Sequence, residues 1–405
     1  MSSISNLQRN YGRAPKRIPF SDACMRDIET TPSAKLDRLL GQLAREVPAE
    51  IHPPLVSVVV TAYNYERFVR RTLESVAGQN YENFECVIVD DCSTDGTVAE
   101  IEGFLADQRD ARFRLLRSDV NRGQLGAQIV GFHACHGTFV SFVDADDVLF
   151  PDCLETHLAV HLNCEPIAAM TCLDSATIDE TGTLLAAHHR EIRPRLWPWF
   201  RPHMHERSID ARGERLACLV VPPSIANTIV LREQYFWTTQ SFMMFRYDFL
   251  KLVLPDATER FRICSDYYLV RMAHAFNTTI LVLRPGGAYR VHGANHFSSH
   301  VLVSSDQESG DPVRFTWQAH ELAALAAPVI ADRFEDFASV FGEFHVARAL
   351  VGLPRKVRPG VFRLIRRRID FKQAALLLAM AWASRLTARV RQSWRTFTRI
   401  VWAGC

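Results

Sequence analysis

The chain has 405 residues, of which 48% are hydrophobic and 23% charged, and its formal net charge is +2; this make-up excludes a disordered, collagen-like or membrane-embedded bundle and leaves one large α/β domain with additions, or two domains. The small net charge hides an asymmetry: residues 351–405 hold thirteen Lys/Arg against one acid, Asp370, while the other 350 residues hold 34 basic and 44 acidic side chains. Ten cysteines without a CxxC pair point to buried thiols in a reducing compartment and argue against a disulfide scaffold or a zinc knuckle.

Residues 1–32 read as a polar, irregular leader without the apolar core of a secretory signal. Leu36, Leu39, Leu40, Leu43 and Val47 then recur at helical spacing, which predicts an amphipathic helix over 34–47, closed by Pro53 and Pro54. Leu55–Thr61 is a nearly continuous apolar run, as expected of a strand covered on both faces. A helix over 66–78 follows, with Phe68, Val69, Leu73 and Val76 on one side, then a strand over Phe84–Val89 that ends in Asp90 and Asp91. Ser93–Gly96 turns into a helix over 97–106; Phe113–Leu116 is a short strand, 123–135 a helix and Thr138–Val143 a fourth strand. This alternation predicts a doubly wound, mostly parallel sheet with helices on both faces.

Beyond residue 155 the pattern loosens. A segment rich in Arg, Trp, Pro and His spans 190–207, where Trp197 and Trp199 suit sugar stacking, membrane contact or core packing equally. A strand is expected over Ser241–Phe245, a helix over Cys264–Ala275 and a strand over Ile280–Leu283 that leads to Tyr289-Arg290-Val291-His292. The pairs His188/His189 and His203/His205 lack zinc spacing. No run reaches the eighteen or so apolar residues of a spanning helix, Ala374–Ala383 being the nearest approach. The division expected is 1–53 leader and helix, 54–155 and 156–300 two halves of one α/β domain, and 301–405 a helical extension with a basic tail.

The most informative stretch is Thr138–Phe150, TFVSFVDADDVLF, in which an apolar strand ends in Asp144, Asp146 and Asp147. Three carboxylates at one strand tip repel each other and lose hydration, a cost that a bound cation removes. Asp144 and Asp146 flank a single residue, so extended backbone points both the same way. That suits a hard divalent ion with oxygen ligands and positions left for phosphate, although a solvated acidic turn accounts for the same residues. Open α/β sheets bind ligands beyond the carboxyl ends of their strands, and there Thr61-Ala62-Tyr63-Asn64, Asp90-Asp91 and Asp144-Ala145-Asp146 converge.

Val56–Asn64 (VSVVVTAYN), Val87–Thr97 (VIVDDCSTDGT), Asn121-Arg122-Gly123 and Phe142–Asp147 (FVDADD) together resemble the ordered signature of the family 2 glycosyltransferases. Thr239–Arg246, Ser265–Arg271 and Tyr289–Asn295 are similar to that family's acceptor-side strand, acidic helix and closing motif. The resemblance implies a GT-A fold and an inverting transfer from a nucleotide-diphospho sugar, with a UDP-sugar expected, to a hydroxyl of a glycan or lipid-linked acceptor. It implies a divalent cation, Mn2+ or Mg2+, held by Asp146, with Asp144 on the metal or the ribose; His292 fits a third ligand, a diphosphate contact or a structural histidine. Asp90 or Asp91 would accept from base or ribose, Thr61, Ala62 and Tyr63 would frame the base, and Arg122 would meet phosphate or base; Arg290 has a fork that suits a phosphate clamp. Asp266 is the expected base for the acceptor hydroxyl; the family usually has Glu-Asp where this chain has Ser265-Asp266. No QxxRW motif follows, which favours a single-transfer enzyme over a polymer synthase. A catalytically silent nucleotide-sugar-binding or scaffold protein is the competing reading. Thr61–Asn64 offers no Gly-rich phosphate loop, which argues against a sugar nucleotidyltransferase.

The tail, residues 361–405, mixes Arg with Leu, Ile, Trp and Phe, a composition that lets a helix lie in a membrane interface with its arginines toward anionic headgroups. Packing against the acidic body or an oligomer contact fits too, whereas nucleic-acid binding is not expected from so apolar a segment. The location expected is cytoplasmic, with the tail placing the protein on the inner face of the membrane. Equal co-sedimentation of the full chain and residues 1–355 with anionic liposomes would rule the membrane role out.

Overall fold

The computed structural model describes residues 52–188, 205–211, 214–223, 237–293, 295 and 312–352. The leader, the helix expected over 34–47, His189, Trp197, Trp199, His203 and the tail from residue 353 lie outside them.

The first half alternates as expected: β1 (Val56–Ala62), α1 (Val69–Ala77), β2 (Phe84–Asp90), α2 (Thr97–Gln108), β3 (Phe113–Arg117), α3 (Gly123–His133) and β4 (Phe139–Asp144). After it come β5 (Val148–Leu149), α4 (Cys153–Asn163), β6 (Ala168–Ile178), β7 (Leu184–Ala186), β8 (His205–Ala211) and β9 (Glu214–Val221). The chain continues with β10 (Met243–Arg246), α5 (Tyr247–Val253), α6 (Ser265–Phe276), β11 (Thr278–Arg290), α7 (Pro312–Asp332), α8 (Phe334–Phe341) and α9 (Glu343–Gly352).

All strands join one sheet in the order β3-β2-β1-β4-β10-β6-β11-β9-β8, with β5 added to β11 and β7 to β6. β1 is parallel to β2 and β4, β2 to β3, and β6 to β11, while β10 runs against both β4 and β6 and β9 against β11. The result is a mixed α/β sheet, mostly parallel and flanked by helices. Strand alternation explains the two layers. Val56, Val58 and Val60 face a core with Val69 and Leu73 of α1, Phe104 of α2 and Leu158 of α4. Val59 faces the opposite core, with Leu125 and Ile129 of α3, Tyr268 of α6 and Leu322, Phe337 and Val346 of α7–α9. Burial on both faces is why β1 reads as a run and not as an alternation. Seven of the eight described cysteines are buried, and among the described residues no helix is long and apolar enough to cross a membrane.

The strands β5 to β9 were not anticipated, and β11 is longer than expected. β6, AAMTCLDSATI, was not anticipated, because its apolar residues are broken by Thr171, Asp174 and Ser175; all three are buried, and Thr171 Oγ1 lies 2.7 Å from His157 Nδ1. The strand expected over Ile280–Leu283 runs on to Arg290, with register shifts around Pro285. Gly287 permits this: a Cβ there would lie 2.3 Å from the Val148 carbonyl oxygen, so only glycine lets β11 close on β5. The consequence is functional, since β11 thereby delivers Arg290 and His292 to the acidic turn.

At the amino edge of the sheet, Glu85 anchors the base of the fold. It accepts from Ser57 Oγ (2.6 Å), the His136 amide (2.6 Å) and Arg114 (2.7 Å). Burial raises its pKa, but these donors outweigh burial and pull it from 4.5 down to about 2. A folded-state pKa below the unfolded one stabilises above pH 4.5 and is lost as pH falls toward 2. Glu85→Gln is therefore expected to cost about 2 kcal/mol at pH 7, with the gap to wild type closing progressively in urea melts below pH 4.5.

Candidate functional site

Register places the carboxyl ends side by side: Thr61 pairs with Asp144, and Ala62 with Asp90. The turn after β4 is held from several directions. Thr72 Oγ1 of α1 lies 2.9 and 2.7 Å from the carbonyl oxygens of Ala145 and Asp147. The Asp144 amide donates to Ser241 Oγ (3.0 Å), which itself donates to Asp147 (2.6 Å). Asp147 also accepts the Arg290 amide at 3.0 Å and is fully buried, so this acid ties β4 to β10 and β11. Asp144 and Asp146 remain for chemistry. Asp146 Oδ2 is 3.0 Å from His292 Nε2, and both residues are buried. The Phe68 ring lies tilted against His292 with ring centroids 4.8 Å apart, and the Tyr65 ring meets it edge-on.

The electrostatics follow from this crowding. Burial, and then the charge of Asp146, push the Asp144 carboxyl up to about 7, with a smaller push from Asp266 and an opposing hydrogen bond from Gln124. Burial and the charges of Asp146 and Asp144 hold Asp147 well above the usual carboxylate range. The Tyr65 phenol is raised by burial and by Asp146, Asp144 and Asp147. Negative charge is thus under-compensated at this edge.

Among the described residues no group of three or more His, Cys, Asp or Glu is gathered closely enough to hold a metal unaided. The donor set nevertheless fits a divalent cation that shares its shell with phosphate. Asp144 and Asp146 supply carboxylate oxygens at the strand tip, and His292 Nε2 lies beside them, 3.0 Å from Asp146 Oδ2.

On the nucleotide side, the loops after β1 and β2 are laced together. The Asn64 amide donates to Ser93 Oγ (3.0 Å), Thr94 N donates to Asn64 Oδ1 (2.8 Å), and Tyr65 N donates to Thr97 Oγ1 (2.7 Å). Thr61 and Ala62 are buried and Tyr63 is 45% exposed beside them. Asp90 is buried and accepts the Ser93 amide at 3.3 Å. Asp91 is engaged differently: its two oxygens accept the amides of Arg122 and Gly123 at 2.8 Å, capping the start of α3. Arg122 is exposed there. Arg290 is buried, and its guanidinium donates to the carbonyls of Asp146 (2.8 Å), Asp179 (3.2 Å) and Glu180 (3.3 Å). That fork ties the acidic turn to the β6–β7 hairpin.

On the acceptor side, Asp266 stands in the first turn of α6, half-buried, and its charge reaches Asp144. Ser265 is fully buried, donating to Gln240 Oε1 (2.7 Å) and accepting from Gln128 Nε2 (2.9 Å). Gln124 joins the two sides, donating to Asp144 Oδ1 (2.9 Å) and accepting the Ser265 amide (3.1 Å). Sequence reasoning missed Tyr65, Thr72, Gln124, Gln128, Gln240 and the role of Ser241. One signal was available: Gln124 and Gln128 are four apart on a helix, so both amides lie on one face.

The sequence model described as Glycosyl transferase family 2 matches residues 57–225. An uncharacterized glycosyltransferase of Nostoc sp. is 29% identical over 260 residues, covering 63% of this chain and 70% of the relative. The succinoglycan biosynthesis protein ExoO of Rhizobium meliloti is 28% identical over 255 residues, covering 63% and 65%. Among solved structures, S. aureus TarS 1–349 in complex with UDP-GlcNAc covers 78% of this chain and 89% of that one at 17% identity and a TM-score of 0.42, too distant to bear on chemistry. The family match starts in β1 and takes in the acidic turn, so residues 57–225 carry the likeness to the family 2 glycosyltransferases.

Proposed function

We propose that the chain is a metal-dependent, inverting transferase that moves a sugar from a nucleotide-diphospho sugar, with UDP-sugars the first donors to test, to a hydroxyl of a glycan or lipid-linked acceptor. The observation that carries this reading is the convergence of Asp144, Asp146 and His292 with Asp266 on one sheet edge, close enough for Asp266 to raise the Asp144 carboxyl. The cation, Mn2+ or Mg2+, would be held by Asp146 and Asp144 with His292 beside them, and would offset diphosphate charge as the glycosidic bond breaks. Asp90 is assigned to base or ribose, since both Asp91 oxygens serve the α3 cap. Tyr63 and the buried Thr61 and Ala62 frame the base, and exposed Arg122 meets phosphate or base. Arg290 is assigned a positioning role, because backbone carbonyls occupy its guanidinium. Asp266 takes the acceptor proton. The kinship with a protein named for succinoglycan biosynthesis supports a glycan-building acceptor.

A thermal-shift screen of nucleotide sugars with and without MnCl2 tests the reading. A cognate donor at 100 times its Kd is expected to add about 2.7 kcal/mol of stability, and only with the metal. No shift with any nucleotide sugar would sink it. Ser265 in place of the usual acid keeps the silent-binder alternative in play, and stabilisation without turnover across acceptors would favour that reading.

A further inference from the structure

We propose that Gln124 is a positioning residue that couples the leaving-group carboxylate to the helix carrying the base; this rests on the donor-site reading above. Its carboxamide spans the two sides, with Nε2 donating to Asp144 Oδ1 at 2.9 Å and Oε1 accepting the Ser265 amide at 3.1 Å. The orientation of the amide is fixed by its partners, because the Ser265 N–H can only donate and therefore requires the oxygen, which leaves the NH2 for Asp144. No other side chain of this length does both: an ionised Glu has no donor, Lys and Arg have no acceptor, and Met has no donor and only a weakly accepting sulfur. Asp266 is the next residue after Ser265, so the tether acts on the turn that aims it.

The surrounding backbone makes the link stiff. The Gln124 amide donates to the Arg262 carbonyl (2.9 Å) and the Leu125 amide to the Phe261 carbonyl (3.2 Å), which locks the start of α3 onto the loop leading into α6. Gly123 sits at φ +75, and a Cβ on it would be 2.6 Å from Arg262 Cα, so this contact closes only around glycine. Loading Asp144 with cation and diphosphate therefore bears on the first turn of α6 through one amide, and ordering that turn places the base when donor is bound. Misplacement by about 1 Å costs on the order of 100-fold in rate, so a tether here acts on kcat and not on donor affinity.

Hydrogen exchange of the wild type and of Gln124→Met, with and without UDP plus MnCl2, reads the coupling directly. In the wild type, UDP and Mn2+ are expected to slow amide exchange in the first turn of α6 by about 10-fold, the scale of a modest two-site coupling. In Gln124→Met, UDP affinity stays within about 3-fold while the slowing disappears. A merely structural tether would raise exchange equally in both ligand states. Gln124→Ala provides a second, independent variant should the methionine protein fold poorly. Equal slowing in wild type and variant overturns the inference alone; no UDP binding by the wild type overturns the donor-site reading and the inference with it.

Discussion

Asp146→Asn is expected to reduce manganese-dependent turnover of a nucleotide sugar by about 10²–10³-fold, the usual scale for removing a group that stabilises charge developing in a transition state. The asparagine keeps the shape and an oxygen within reach of His292, at 3.0 Å in the wild type, so the effect isolates charge from packing. The same substitution has a second, opposite signature. Asp146 is one of the charges that push the Asp144 and Asp147 carboxyls upward, so neutralising it relieves repulsion among buried acids. The metal-free variant should therefore melt no lower than wild type, while the stabilisation conferred by MnCl2 with donor is lost. Calorimetry and a nucleotide-release assay on one preparation check both. Mn2+-dependent turnover within about 3-fold of wild type would remove Asp146 from the metal site.

Asp266→Asn is expected to lower the transfer rate by about 10²–10⁴-fold while leaving nucleotide affinity nearly unchanged, as fits loss of a general base outside the donor pocket. The carboxyl stands in the first turn of α6, on the acceptor side, and its field reaches Asp144. Donor binding measured by titration and transfer measured in steady state separate the two effects. A variant that transfers at the wild-type rate takes Asp266 out of the mechanism and directs attention to another acceptor-side group.

The two variants differ in how legible their targets are in the chain. Asp144 and Asp146 stand out because an apolar run and an acidic tip are local patterns, and β2 and β4 follow the same rule. In sequence, spacing alone set Asp147 apart from the Asp144/Asp146 pair. Its separate fate depends on Ser241, 94 residues away, and Arg290, 143 residues away, which bring donors to it. Arg290 illustrates the converse: its fork suits phosphate, yet tertiary packing presents it with three backbone carbonyls. β6 escaped notice because its buried polar residues find partners on other elements, such as His157 for Thr171, and no local periodicity reports that.

By itself, then, the order of residues determined the strand–helix alternation, the two-sided burial of β1 and the acidic strand ends, because each depends on spacing within a few residues. Tertiary structure alone decided which acid turns inward, that Asp91 caps α3, and that Gln124 bridges Asp144 to Ser265, the latter 141 residues further along the chain from Gln124. The physical reason is that a carboxylate's or amide's role is set by the donors and acceptors that reach it, and here those arrive from distant strands. The glycines at 123 and 287 were visible as letters, but the close approaches they permit exist only once the sheet has formed.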